Sequence, residues 1–262
     1  MTRSAEGAWG GIKTGHGSGK MDMKWKKKGV RFLPADITKV QLSGGEIHYL
    51  WWFIQGSIMV PDVRYRLRKA WGFCERHAWG AILVEASLRH GYMHGPAILY
   101  EDLLEPAVQA IHLQGPLKNL RLLKGFRDKG RCLMCEMDLG PETRGAANPD
   151  LVERGRDPGE LRVFARRTES YWRETVCGRC LGNGSWPRCR RHFIEDVSKG
   201  VMGSLLPHQD FLNYIFQQIT LYSRSFRWEC QGTETEENKA ALISAVGWCS
   251  GWQPLLSILG IK

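Results

Sequence analysis

Four pairs of soft donors share one spacing in this chain: Cys74-x2-His77, Cys132-x2-Cys135, Cys177-x2-Cys180 and Cys189-x2-His192. Two intervening residues matter for a geometric reason. In a tight knuckle, or in the first turn of a helix, side chains at i and i+3 point the same way, so both can reach one ion at roughly 2.0–2.3 Å. Two such pairs complete a tetrahedron and pin together segments that lie far apart in the chain. Any fold this sequence adopts has to satisfy that constraint.

The pairs are of two kinds. "FCERHAWGAIL" and "RCRRHFIEDV" each place a Cys and a His at the start of a helical pattern, where the positive end of the helix favours thiolate over thiol. "RCLMCEM" and "VCGRCLGNG" read as knuckles, the second with Gly178 and a "GNG" turn suited to positive φ. A knuckle combined with a helix-start pair is the assembly of a treble-clef-like zinc site, and the chain has two of each. Four pairs combine into two sites in three ways. The most economical joins Cys177 and Cys180 to Cys189 and His192, because eight residues separate those pairs. Cys74, His77, Cys132 and Cys135 then form a second site across 54 intervening residues.

Six of the eight cysteines belong to pairs. Cys230 and Cys249 stand alone, each near a tryptophan on a helical pattern, and read as small buried hydrophobes. Two histidines among the eight ligands favour zinc over an iron–sulfur cluster. Two ions are expected, or one if a pair stays open. A dithiol redox couple of the thioredoxin type requires a βαβ context, and no segment alternates at period 2.

The rest of the pattern is helical, so the expected fold class is mostly α, a helical domain stapled by one or two Cys/His sites. "GEIHYLWWFIQGS" is strongly apolar. "PDVRYRLRKAW" opens with Pro61 at a first helical position and Asp62 near the positive helix end. "CERHAWGAILVEASLRH" spaces Ala78, Ile82, Glu85 and Ala86 on one helix face, and "GPAILYEDLLEPAVQAIHL" follows, with Pro106 expected to kink or break it. "GPETRGAANPDLVERGRDPG" reads as a loop with one short turn. Four more helices follow in "ELRVFARRTESYW", "RRHFIEDVSK", "HQDFLNYIFQQITLYSRSFRW" and "TETEENKAALISAVGW", the last with a capping box from Thr233 to Glu236.

Charge divides the chain. The net charge is +10, and residues 1 to 31 carry eight Lys or Arg against Glu6 and Asp22, leaving the remainder only mildly basic. Residues 1–34 are rich in Gly, Lys and Ser without periodicity and read as a disordered basic tail. Residues 35–200 then form the Cys/His metal-binding helical domain, and 201–262 a C-terminal helical pair packed on it. The longest apolar run, "YLWWFIQGSIMV", is too short for a membrane span of about 20 residues. With no apolar segment of the secretory-signal type, the cysteine usage points to a cytoplasmic setting.

At "WGFCERHAWGAILVEASLRHGYMHGPAILYEDLL" the sequence resembles an uncharacterised bacterial family of helical Cys/His proteins. Its pattern is a first CxxC, a Phe-Cys-x-x-His-Ala-Trp helix, Ala-Ile-Leu-Tyr-x-Asp-Leu-Leu, a second CxxC and a closing Cys-x-x-His. The resemblance spans about residues 35 to 200 and matches Cys74, His77, Cys132, Cys135, Cys189 and His192. It implies zinc ligands at these positions, with no activity attached. It also implies an alternative pairing of Cys132 and Cys135 with Cys189 and His192. Where the first CxxC belongs, this chain has "ADIT" at residues 35–38. The first site therefore needs another pair to complete it.

Other residues invite chemistry. "HGYMHGPAILYEDLLE" gathers His90, His94, Tyr100, Glu101, Asp102 and Glu105, a candidate acid–base cluster, although Glu101 and Glu105 at i, i+4 also suit a solvated face. Arg188, Arg190 and Arg191 around Cys189, together with the basic tail, offer contacts to nucleic acid. No phosphate-binding glycine loop, zinc-protease helix or nucleophile elbow is present. The function expected is a zinc-stabilised, non-enzymatic interaction module that binds a protein partner. A thiol redox or metal-relay protein and a nucleic-acid-binding zinc protein are the alternatives.

Overall fold

Ser43 opens the first helix. Its hydroxyl accepts from the amide of Glu46 at 3.2 Å, and the Glu46 carboxylate accepts from the Ser43 amide at 2.6 Å, a reciprocal cap that starts α1 at Gly44–Ile54. The computed structural model describes residues 41–201 and 203–261, so the basic tail and the "ADIT" stretch lie outside the described residues. After α1 come α2 (Pro61–Lys69), α3 (Glu75–Leu88), α4 (His94–Ile111), α5 (Lys118–Phe126) and the single turn α6 (Leu133–Glu136). They are followed by α7 (Pro149–Arg156), α8 (Gly159–Arg167), α9 (Glu169–Trp172), α10 (Arg190–Ser198), α11 (Leu206–Arg224), α12 (Glu236–Ser250) and α13 (Gln253–Leu259). No strand occurs among the described residues, and none of their helices is long and apolar enough to cross a membrane.

Two helices are apolar on every side because they run through the middle of the protein. In α3 all residues from His77 to Leu88 are buried, and α12 is buried from Ala240 to Cys249. Helices α1, α7 and α8 pack on α3, while α11 packs on both α4 and α12. Tryptophans fill the space between. Trp252 neighbours both Trp79 and Trp172, with Trp79 donating to the carbonyl of Gly251 at 2.8 Å and Trp172 to that of Ala165 at 2.7 Å. A second group places Trp71, Phe126 and Trp248 edge to face. Gly247 is required here: a Cβ at this position would stand 2.2 Å from the Trp252 ring.

Several local expectations change in the folded chain. Pro106 neither ends nor divides α4, which runs from His94 to Ile111 with the proline on its exposed side. The expected loop at 140–159 contains α7, started by Asn148, whose side chain accepts from the Asp150 amide, with Pro149 at the first helical position. Gly155 lets this helix lie against Ile47, since a Cβ there would meet Ile47 at 2.9 Å. The capping box of α12 is Thr235 with Asn238 rather than Thr233 with Glu236; the Thr233 hydroxyl donates instead to the carbonyl of Cys230. Beyond the expected C-terminal pair, α13 folds back as a third helix. Cys249 is buried as expected, whereas Cys230 is only half-buried, on a 3-10 turn.

Glu85 is the exception within α3, a carboxyl that is 1% exposed among apolar neighbours. One oxygen accepts from the Gly95 amide at the start of α4, and the other has no partner. Burial pushes its pKa up to about 7. The unfolded chain loses this proton near pH 4.5 and the folded protein near 7, so this residue's contribution to stability falls as pH rises through that window. Glu85→Gln is expected to remove the loss, with a difference from wild type that grows to about 3 kcal/mol between those limits. Denaturant unfolding of both proteins across the range measures it; a constant difference would contradict the assignment.

Candidate metal centres

Cys74 and Cys189 occupy equivalent positions. Each is the residue that starts a helix, Cys74 at φ −62°, ψ 164° before α3 and Cys189 at φ −69°, ψ 163° before α10. Neither uses its side chain as a cap, so both sulfurs are free to turn outward beside the histidine three residues on. Each histidine presents Nδ1 to the sulfurs.

At the first cluster, His77 Nδ1 lies 3.3 Å from Cys74 Sγ, 3.5 Å from Cys132 Sγ and 3.5 Å from Cys135 Sγ, and the sulfurs of Cys74 and Cys135 are 3.8 Å apart. At the second, His192 Nδ1 lies 3.2 Å from Cys177, 3.6 Å from Cys180 and 3.4 Å from Cys189, with Cys180 and Cys189 3.9 Å apart. Within each group the donor atoms all lie within 4.8 Å of one another. Metal–sulfur bonds of about 2.3 Å and metal–nitrogen bonds of about 2.0–2.1 Å in a tetrahedron set S···S edges of about 3.8 Å and S···N edges of about 3.5 Å. The donors stand close to those edges, so both Cys3His sets fit a tetrahedral ion such as zinc.

The economical pairing is the one the fold assembles. Cys132 and Cys135, on the turn of α6, complete the set begun by Cys74 and His77, which closes without any residue from the "ADIT" segment. The alternative that joins them to Cys189 and His192 is not formed.

His77 has a buried partner behind it that the sequence reading missed. Its Nε2 donates to Glu46 Oε1 at 2.9 Å, and Arg76 grips the same carboxylate through Nε at 3.1 Å and Nη2 at 2.7 Å. Burial would raise the Glu46 pKa, but His77, Arg76 and the Ser43 amide hold it down at about 2, so it stays ionised. A carboxylate on the distal nitrogen sets the tautomer that leaves Nδ1 free as a ligand. The signal was present in the sequence as Ser43-x-x-Glu46, a capping-box spacing directly ahead of an apolar run.

The second knuckle is held by its backbone. Gly178 accepts through its carbonyl from the amides of Asn183 and Gly184, and its own amide donates to Pro187 at 3.1 Å. Gly182 (φ 76°) and Gly184 (φ 69°) adopt left-handed conformations, as the "GNG" turn suggested. Gly178 is needed for room instead, because a Cβ there would fall 1.9 Å from the Ser185 carbonyl oxygen.

The arginines proposed to face nucleic acid are mostly engaged inside the protein. Arg188 binds Asp196 at 2.7 Å and the carbonyl of Gly184 at 3.0 Å; Arg179 joins it by gripping Glu195 and Asp196. Arg190 is buried, donating to the carbonyls of Cys249 at 3.0 Å and Phe126 at 2.6 Å and pairing with Asp128. Of the three, Arg191 is the one largely exposed to solvent, 3.6 Å from Glu195. The candidate acid–base cluster does not assemble either. Asp102 is buried in ion pairs with Arg64 and Arg68 that tie α2 to α4, while His90 and Glu105 are exposed.

Two substitutions test this geometry. Glu46→Gln is expected to weaken metal binding at the first cluster by about 10- to 100-fold, the usual effect of removing such a partner, read by chelator competition with the second cluster as internal reference. Gly178→Ala is expected to cost the second ion, so that metal content falls from two equivalents to one; two retained equivalents would contradict the steric argument.

No family model, no curated protein and no solved structure matches this chain. What the structure itself shows is two Cys/His groups that could hold metal.

Proposed function

We propose that this chain is a zinc-stabilised helical protein whose two ions join distant helices, and that it acts as a non-enzymatic interaction module. The observation that carries the reading is the completeness of each donor set. Three sulfurs and one nitrogen occupy all four corners of a tetrahedron, leaving no position for a water or a substrate, as in structural rather than catalytic zinc sites. Zinc is favoured over iron by the histidine in each set and by edges that match zinc bond lengths. Exposed aromatic side chains, Trp228 above all at 84% exposure, support a protein partner.

The test is removal of the metal from the purified full chain by a strong chelator, followed by circular dichroism and thermal melting. Binding energy at such sites is folding energy. Loss of several kcal/mol corresponds to a fall in Tm of about 10 °C or more for a chain of this size. Retention of full helicity and Tm after complete removal would refute the structural role.

A second reading, a thiol redox or metal-relay protein, draws on the first cluster, where Cys74, Cys132 and Cys135 are only half-buried. It predicts that these three thiols alkylate quickly in the native protein, whereas closed structural sites protect all six paired thiols until denaturation.

A further inference from the structure

The residues that end α12 and begin α13 touch both donor clusters. Ser250 Oγ donates to the carbonyl of Phe73, the residue before Cys74, at 3.2 Å. Arg190, the residue after Cys189, donates through Nε to the carbonyl of Cys249 at 3.0 Å. Gln253 makes the shortest connection. Its backbone amide donates to Glu75 Oε1 at 3.0 Å, and its side-chain amide donates to the carbonyl of Cys180 at 2.6 Å. Glu75 lies between the two ligands of the first helix-start pair, and Cys180 is itself a member of the second cluster. One residue is thus hydrogen-bonded to a member of the second donor set and to the neighbour of Cys74 in the first.

The joint itself is tightly seated. Gly251 has φ 117°, a conformation that disfavours any side chain, and a Cβ there would lie 2.4 Å from Glu75 Oε1. Its carbonyl accepts from Trp79 on α3. Trp252 covers Gly247 and packs beside Trp79 and Trp172. Helix packing of this kind leaves two arrangements, seated or released, rather than a graded series.

We propose that the α12–α13 joint couples the two clusters, so that filling either one raises the metal affinity of the other; the inference rests on the metal-binding reading above. A filled first cluster fixes the opening turn of α3 and with it Glu75, which seats Gln253. Seated Gln253 holds the Cys180 carbonyl and so the second knuckle. By linkage the effect runs equally in the other direction. Gln253 touches no metal in this scheme; it is a positioning residue. The coupling expected is about 10- to 100-fold, within the usual range for linked sites.

The experiment uses the full chain loaded with ¹¹³Cd²⁺, one resonance for each site, under increasing chelator. Wild type is expected to empty both sites in one transition, and Gln253→Ala to separate them by about tenfold or more in chelator concentration. Disabling the second site by Cys189→Ser is expected to weaken the first by about tenfold or more when Gln253 is present and to add no such loss in Gln253→Ala; an equal effect in both backgrounds, which is what a merely structural residue gives, would overturn the proposal. If Gln253→Ala does not fold, Ser250→Ala, which removes one hydroxyl from the same joint, is measured instead. Separation then supports the coupling and unchanged release overturns it. Elemental analysis distinguishes the two levels of failure. No bound metal after zinc reconstitution sinks the metal-binding reading itself, whereas two ions released independently sinks only the coupling.

Discussion

The carboxylate of Glu46 stands where the N-terminal helix, the buried helix α3 and the first donor cluster meet. It closes the cap of α1, neutralises Arg76 and orients His77. An ionised carboxylate with no solvent exposure is tolerable only when its charge and lone pairs are matched, and these partners supply that matching. The opening turn of α3 is thereby fixed twice, by the donors at its front and by the carboxylate behind. Helices α1, α7 and α8 pack on α3, so their placement depends on that turn.

The two clusters repeat one local device, a cysteine that begins a helix with a histidine one turn later, matched to a knuckle from elsewhere. Their supports differ. The first has the buried carboxylate behind its histidine, while the second is framed by Arg179, Arg188, Glu195 and Asp196 and by the backbone of a glycine-rich turn. Helices as short as the four-residue α6 have no stability of their own. What keeps them in place is tertiary: packing on the tryptophan-filled core and, with an ion bound, the ligand bonds.

Much of this could be read in the residues. The helix at Pro61, the burial of α3 and the helical starts at Cys74 and Cys189 follow from periodicity and capping chemistry, which act over a few residues. The misses share a cause. Pro106 sits within a helix because the packing of α4 on its neighbours outweighs one lost hydrogen bond on the exposed side. The segment holding α7 looks like a loop because its polar residues outnumber Leu151 and Val152, and only contact with the core makes a helix of it. Arg190 looks like a surface cation by composition and becomes an internal strut once Phe126 and Cys249 present their carbonyls to it.

By itself the sequence determined the donors and the local geometry that aims them, since two intervening residues at a helix start or a tight turn bring i and i+3 to one side whatever the rest of the chain does. It also determined that the scaffold is helical, because apolar spacing is a local property. Only the tertiary structure decided which pairs meet: three pairings were compatible with spacing alone, and the choice spans the 54 residues between His77 and Cys132, across which only packing can bring two segments together. The same holds for Glu46 behind His77 and for Gln253 between the clusters. Those contacts join residues 31 and 73 or more positions apart, beyond the reach of any local rule.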